Sequence, residues 1–134
     1  MAQRLDPQRI LIVDDNRDAA DIIVEFLVMY GHDAKSAYDG EDALRVAASF
    51  VPDVVFLDIG MPGINGYQVA ASMRATPRFD KTRVVALTAW SDDEARRRVA
   101  AAGFHLHLIK PASFDTILGA LNMFNVLEQA DALF

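Results

Sequence analysis

The stretch VVFLDIGMPG, residues 54–63, runs four large apolar residues into one carboxylate, Asp58, and then at once into residues that stop a strand. Three other apolar runs end in a similar way. ILIV (10–13) is followed by Asp14 and Asp15, VVAL (84–87) by Thr88, and LHLI (106–109) by Lys110. Each of these has a plain explanation on its own, since Asp is a common turn residue, Thr an ordinary strand residue and Lys a surface residue. Together they supply three carboxylates, a hydroxyl and an ammonium. A few hard oxygen ligands with room for water suit Mg²⁺. A divalent ion, a lysine and a hydroxyl around a free carboxylate can stabilise charge on a transferring phosphoryl group, and Asp is an established phosphoryl acceptor. The chemistry on offer is phosphoryl transfer onto a carboxylate, provided that the chain brings these residues together.

The elements between the runs say that it does. The apolar runs Ile10–Val13, Val54–Leu57, Val84–Leu87 and Leu106–Ile109, with a weaker one at Ala34–Tyr38, read as strands, four of them apolar enough to be buried on both faces. Between them lie stretches of helical period. The first carries Ile22, Ile23, Phe26, Leu27 and Tyr30 and ends at Gly31. The second runs from about Glu41 to Phe50, and the third from about Tyr67 to Ala75, before Pro77. The fourth opens on Ser91-Asp92-Asp93-Glu94, a capping-box spacing, and closes at Gly103. The last shows Phe114, Ile117, Leu118, Leu121 and Phe124 on one face. Strand–helix alternation of this kind predicts a doubly wound, flavodoxin-like α/β fold, a (βα)5 unit with a parallel sheet of order 2-1-3-4-5. Parallel strands place all their C-terminal ends on one edge, where open α/β sheets bind ligands. Asp14, Asp15, Asp58, Thr88 and Lys110 should gather there. Three carboxylates converging repel one another, so something must offset them.

Composition sets the outer bounds. At 134 residues and 52% apolar, the chain reads as one domain, 1–134 with its core at about 9–128, large enough to bury a real core. Thirteen Lys and Arg against 19 Asp and Glu give a net charge of −6, which disfavours direct binding to nucleic acid or an anionic membrane. No cysteine means no disulfide and no thiolate metal site, in keeping with a reducing cytoplasm. The start, MAQRLDPQR, has no apolar signal core, and no apolar run reaches the length of a membrane span. A soluble, cytoplasmic protein is expected. His32, His105 and His107 lack metal-ligand spacing and read as non-metal, and Arg96 to Arg98 fan around a helix as a solvated face or partner contact.

The pattern VDDN, FLDIGMPGINGY, ALTA and LIKP resembles the receiver domain of bacterial response regulators over nearly the whole chain, from about Arg9 to the last helix. DD or KP alone is a weak signal; these motifs in order at strand ends are a strong one. The resemblance implies that Asp58 is the phosphorylated residue. It implies that Asp15, Asp58 and the Gly60 carbonyl bind Mg²⁺ directly, that Asp14 acts chiefly through water, and that Mn²⁺ is a candidate substitute. Thr88 and Lys110 would contact the phosphoryl oxygens, and the peptide bond before Pro111 is expected to be cis. The phosphoryl donor would be a histidine kinase or a histidine phosphotransfer protein. A downstream protein of unknown identity would read the fourth helix, fifth strand and fifth helix, including Arg96 to Arg98 and Phe114. A homodimer is left open. The implied role is that of a signalling phosphoacceptor rather than an enzyme, with self-phosphorylation and dephosphorylation chemistry of its own.

Departures from that pattern bear on readout. Position 107, three before Lys110, often carries Tyr or Phe in the family and is His here, as in receivers attached to hybrid sensor kinases. Thr88 and His107 are the expected switch pair, with a plain edge-strand role for His107 as the competing reading. Trp90, expected beside Asp58, is larger than many residues found there. Nothing after about Leu127 reads as an output domain, so readout is expected from another molecule or from another part of a longer protein. Other uses of this topology fit poorly. A flavin mononucleotide carrier wants a Ser-, Thr- and Gly-rich loop where DDNRDAAD stands; a haloacid-dehalogenase-type phosphatase wants a second Asp where Gly60 stands; a nicotinamide dehydrogenase wants G-x-G-x-x-G. The remaining alternative is a degenerate receiver that works unphosphorylated, as an interaction module.

Overall fold

The computed structural model describes residues 7–61, 63–89 and 93–133, and the side chains of all of these except 126 and 128–133. The elements alternate as β1 (Arg9–Val13), α1 (Arg17–Met29), β2 (Asp33–Ala37), α2 (Gly40–Phe50), β3 (Val54–Asp58), α3 (Gly66–Arg74), a 3₁₀ turn at Pro77–Phe79, β4 (Arg83–Thr88), α4 (Asp93–Ala101), β5 (Leu106–Ile109) and α5 (Phe114–Leu133). The five strands pair in parallel in the order β2-β1-β3-β4-β5. This is the flavodoxin-like arrangement expected from the sequence.

The near-continuous apolar runs follow from helices on both faces of the sheet. Ile10, Ile12, Val54, Phe56, Val85 and Leu87 point into a core closed by α1 and α5 through Ala20, Leu27, Ile117, Leu121 and Phe124. Leu11, Val13, Val55, Leu57, Val84 and Ala86 point the other way, against Ala43, Ala47, Val69, Met73 and Val99 of α2, α3 and α4. Alternate residues of one strand thus serve opposite cores, as a period of two requires. β3, between β1 and β4, is buried at all five residues. β2 reads weakly in sequence because it is an edge strand, with Asp33 and Lys35 exposed.

Local signals fix the helix ends. Asn16, Asp39 and Asn65 cap α1, α2 and α3 by accepting from the backbone N–H groups of Ala19, Asp42 and Gln68, and Gln68 returns the bond to complete a capping box. Gly31 and Gly103 turn the chain after α1 and α4 at φ +94° and +89°. α3 stops at Arg74, one residue short of the sequence estimate, and Pro77 then opens the 3₁₀ turn. Residues 91 and 92 of the expected fourth capping box lie outside the described residues. Among the described residues, no helix is long and apolar enough to cross a membrane.

Candidate phosphoacceptor site

The register of the sheet brings the candidate residues to one edge. β1 ends at Val13, so Asp14 and Asp15 follow directly; β3 ends on Asp58, β4 on Thr88, and β5 one residue before Lys110. One carboxylate oxygen from each of Asp14, Asp15 and Asp58 lies within 4.8 Å of the other two. Among the described residues this is the one grouping of acidic, His or Cys side chains close enough to hold a metal ion. Asp14 and Asp58 are buried, each 5% exposed, and Asp15 stands at the open side. The three histidines belong to no such group; His32 is buried, its Nδ1 accepting from the Gln8 N–H at 3.1 Å.

The two buried carboxylates, Asp14 and Asp58, are held by local backbone. The Asp14 N–H donates to the Ala37 carbonyl at 3.1 Å, and its Oδ1 accepts from the Asn16 N–H at 3.0 Å. The Gly60 N–H donates to Asp58 Oδ1 at 3.0 Å. Lys110 Nζ lies 3.2 Å from Asp58 Oδ2 and 3.4 Å from Asp14 Oδ2, bridging two side chains that are nearly closed to solvent. The peptide bond from Lys110 to Pro111 is cis. The Lys110 N–H donates to the Thr88 carbonyl at 2.8 Å, and the Thr88 side chain is buried at the same edge.

Electrostatics show what this arrangement lacks. Burial pushes the Asp58 carboxyl above its ordinary pKa and Asp14 adds to the rise, while the Gly60 N–H and the Lys110 ammonium pull the other way without cancelling it. Burial also works against the charge on Lys110, yet Asp58 and Asp14 outweigh it and raise its pKa. Among the described residues, Lys110 is the one cation paired with this cluster, and it reaches two of the three carboxylates, so the site is short of positive charge. Its donors are all hard oxygens, so a small divalent cation fits both the charge and the chemistry.

Sequence reasoning missed a positioning residue here, Gly66. A Cβ at Gly66 would fall 2.7 Å from both the Asp58 carbonyl oxygen and the Ile59 Cα, so the first turn of α3 rests directly on the backbone of Asp58. The only sequence signal was the glycine in INGY, which has no meaning until the two segments are known to touch. A second group beyond sequence reach lies at the α1–β2 rim, where Asp21 accepts from the Tyr38 hydroxyl at 2.7 Å and from Ser36 Oγ at 2.9 Å, and Arg17 lies over the Tyr38 ring.

His107 lies in β5 opposite Ala86, on the face turned toward α4, while Leu106 and Leu108 pack into the opposite core. Phe114 does not face α4. It packs against Phe26 and Tyr30, with ring centroids 5.0 and 5.3 Å away, because the inward stripe of α5 meets α1. Arg96, Arg97 and Arg98 are exposed on α4, with the Arg98 guanidinium 4.3 Å from the centre of the Tyr67 ring. Trp90 lies outside the described residues.

Comparison with known proteins agrees with this geometry. Residues 10–122 match the family model for the response regulator receiver domain. Protein PilG of Pseudomonas aeruginosa is 32% identical over 123 residues, covering 90% of both chains. Response regulator MprA of Mycolicibacterium vanbaalenii is 36% identical over 86% of this chain, which spans 49% of that protein; virulence sensor protein BvgS of Bordetella bronchiseptica is 34% identical over 85%, a 10% share of its own length. Among solved structures, the chemotaxis response regulator CheY4 of Vibrio cholerae superposes with a TM-score of 0.82 at 26% identity, over 88% of this chain and 98% of that one.

Proposed function

The chain belongs to the response regulator receiver domain family, and on that premise we propose that it is the phospho-accepting element of a two-component relay, with Asp58 as the residue modified. The observation that carries this reading is the placement of Asp58 Oδ2 3.2 Å from Lys110 Nζ, within a three-carboxylate cluster short of positive charge. A histidine kinase or a histidine phosphotransfer protein would present a phosphorylated imidazole. An Asp58 carboxylate oxygen attacks phosphorus, the P–N bond breaks, and its electron pair leaves with the imidazole nitrogen. Hydrolysis reverses the modification: water attacks phosphorus, the acyl phosphate P–O bond breaks, and phosphate and a free carboxylate result.

Asp15, Asp58 and the Gly60 carbonyl would hold Mg²⁺ or Mn²⁺, with Asp14 acting through water. When bound, the ion supplies positive charge toward the phosphoryl oxygens. The chain's own groups do the rest. Lys110 Nζ, already aimed at Asp58, donates to a phosphoryl oxygen, and the Thr88 hydroxyl donates to another. The Gly60 N–H keeps the Asp58 carboxylate oriented. Because Thr88 ends β4 and Lys110 directly follows β5, new contacts at Asp58 would bias β4 and β5 between two arrangements. Thr88 and His107 then form the switch, and the surface of α4, β5 and α5 is the output face for a downstream protein. Phe114 stands apart from that face, on the α1 side. A cytoplasmic setting suits such a relay.

Intact mass of the full chain with acetyl phosphate, with and without Mg²⁺, tests the reading. The parent should gain one phosphoryl group only with the metal, and Asp58→Asn should gain none. Full uptake by Asp58→Asn at parental rate would move the acceptor elsewhere. No uptake by the parent would leave the unphosphorylated interaction module as the better account.

A further inference from the structure

We infer that His105 is a proton-operated clasp at the base of the groove between α4 and β5, pinning the lead-in to β5 against the Val84 amide of β4 when neutral and letting that amide go when protonated. The clasp itself stands on local geometry; only its effect on partner binding rests on the proposed function.

The chain leaves α4 at Ala101 and turns at Gly103, where a Cβ would fall 2.6 Å from Arg74 Cγ. The stem of Arg74 therefore supports the turn from beneath, and its guanidinium donates to the Thr82 carbonyl at 2.9 Å. Two residues on, the His105 N–H donates to the Val84 carbonyl at 2.8 Å. The N–H of Val84 is met in return by a side chain, Nδ1 of the His105 ring, at 3.0 Å. One residue thus satisfies both backbone groups of Val84, its main chain taking the carbonyl and its ring taking the amide. Val84 is wholly buried, so its amide loses much by losing this partner.

An accepting Nδ1 carries no proton, which assigns the ring to the Nε2–H tautomer. A proton arriving at Nδ1 puts a donor where the lone pair was, and the ring and the Val84 amide then face each other as two donors. The bond cannot survive that change. The ring is exposed on one side, so the proton can come straight from solvent. Around it stand Arg74 from α3, Arg83 from β4, Asp80 and Lys81 from the turn before β4, and Arg96 and His107 across the groove. Cations outnumber the one carboxylate. Burial, and then the charges of Arg74 and Arg83, lower the ring's pKa, so the clasp is closed at neutral pH and opens on the acid side.

The same ring lines a groove of about 430 Å³ whose walls include Val99, Ala100, Phe104, His107 and Ile109. Opening the clasp leaves the lead-in to β5 held at Val84 by its main chain alone, and so loosens the end of the wall that carries His107. The control point lies at the N-terminal end of the sheet, away from the carboxylates, so a proton could alter the output groove without touching the acceptor.

The test is nuclear magnetic resonance on the full chain from about pH 7.5 to about pH 5, the range in which imidazoles titrate. It follows the His105 ring and the protection of the Val84 amide, corrected for intrinsic exchange. Val84 should lose protection along a curve with the midpoint of the His105 titration, and that midpoint should lie below the ordinary imidazole value. In His105→Asn, Oδ1 can take the place of Nδ1 and cannot titrate, so Val84 should stay protected throughout. Protection that stays flat through the His105 titration, or that is lost at the same pH in His105→Asn, would overturn the clasp. Phosphoryl uptake at Asp58 is scored separately in the same preparations, so a failed clasp with normal uptake counts against the clasp alone.

Discussion

Lys110 and Thr88 are joined through the main chain: the Lys110 N–H donates to the Thr88 carbonyl at 2.8 Å, just past the last paired residues of β4 and β5. Two groups from different strands are thereby held in fixed relation at the edge where Asp58 lies. The side chain of Lys110 reaches back over that edge to touch both buried carboxylates.

Lys110→Met should abolish most phosphoryl uptake and destabilise the metal-free protein. Removing one partner of a fully buried ion pair costs about 3–5 kcal/mol. Lys110 keeps about a third of its side chain in solvent, so the loss should fall below that range. Urea unfolding without Mg²⁺ gives the stability, and parental stability would mean that the lysine does not balance the carboxylates.

Asp58→Asn should stabilise the metal-free protein at neutral pH. The folded-state pKa of Asp58 is raised from 3.8, so its favourable protonated form is fully present below that value and is lost as pH rises through the raised one. The parent should therefore lose stability with rising pH across that window, and the Asn variant should lack this part of the slope. Thermal melts at a series of pH values distinguish them. Identical curves would show that burial and Asp14 do not strain Asp58.

Mg²⁺ should reverse the penalty. A ligand that binds only the folded state adds about 2.7 kcal/mol at one hundred times its dissociation constant. The melting temperature of the parent should rise with Mg²⁺, and that of Asp15→Asn should rise less. An equal response in both would exclude Asp15 as a ligand.

Gly66→Ala should cost about 1–3 kcal/mol, as overpacking does, and slow phosphoryl uptake, because the new methyl meets the backbone of Asp58 and Ile59. Gly119→Ala is the control: nothing lies within 4 Å of a Cβ there, so an exposed helical position should gain about 0.5–1 kcal/mol. Paired denaturant curves report both. A neutral Gly66→Ala would mean that α3 can shift without disturbing the acceptor.

His32 adds an acid limit. Burial lowers its pKa from 6.5, so its contribution is complete above that value and is lost as pH falls through the lowered one. His32→Asn should flatten the fall in stability on the acid side of neutrality, as read by urea midpoints. An unchanged acid slope would assign that limit to other groups.

The strands and the carboxylate edge were legible because both rest on local pattern. Ile10–Val13, Val54–Leu57, Val84–Leu87 and Leu106–Ile109 differ from the observed strands by at most one residue at either end, and the residues after them fall where parallel strands must put them. Contacts between distant segments left no such trace. Gly66 has meaning only once α3 meets β3. The ring of His105 completes a ladder that alternation assigns to backbone alone, and Phe114, which the sequence puts both on the apolar face of the last helix and on the output surface, is assigned only by its contact with α1.

Strand order also distributes stiffness. β3 has a strand on each side and no exposed residue, whereas β5 has β4 on one side and no fully buried residue. The same push gives a small displacement at the middle of such a sheet and a larger one at its margin. Asp58 sits where the scaffold yields least, which favours the acceptor role proposed for it. The compliant margin carries His105, His107 and the groove against α4. A strain shared across this sheet should therefore show more at β5 than at β3.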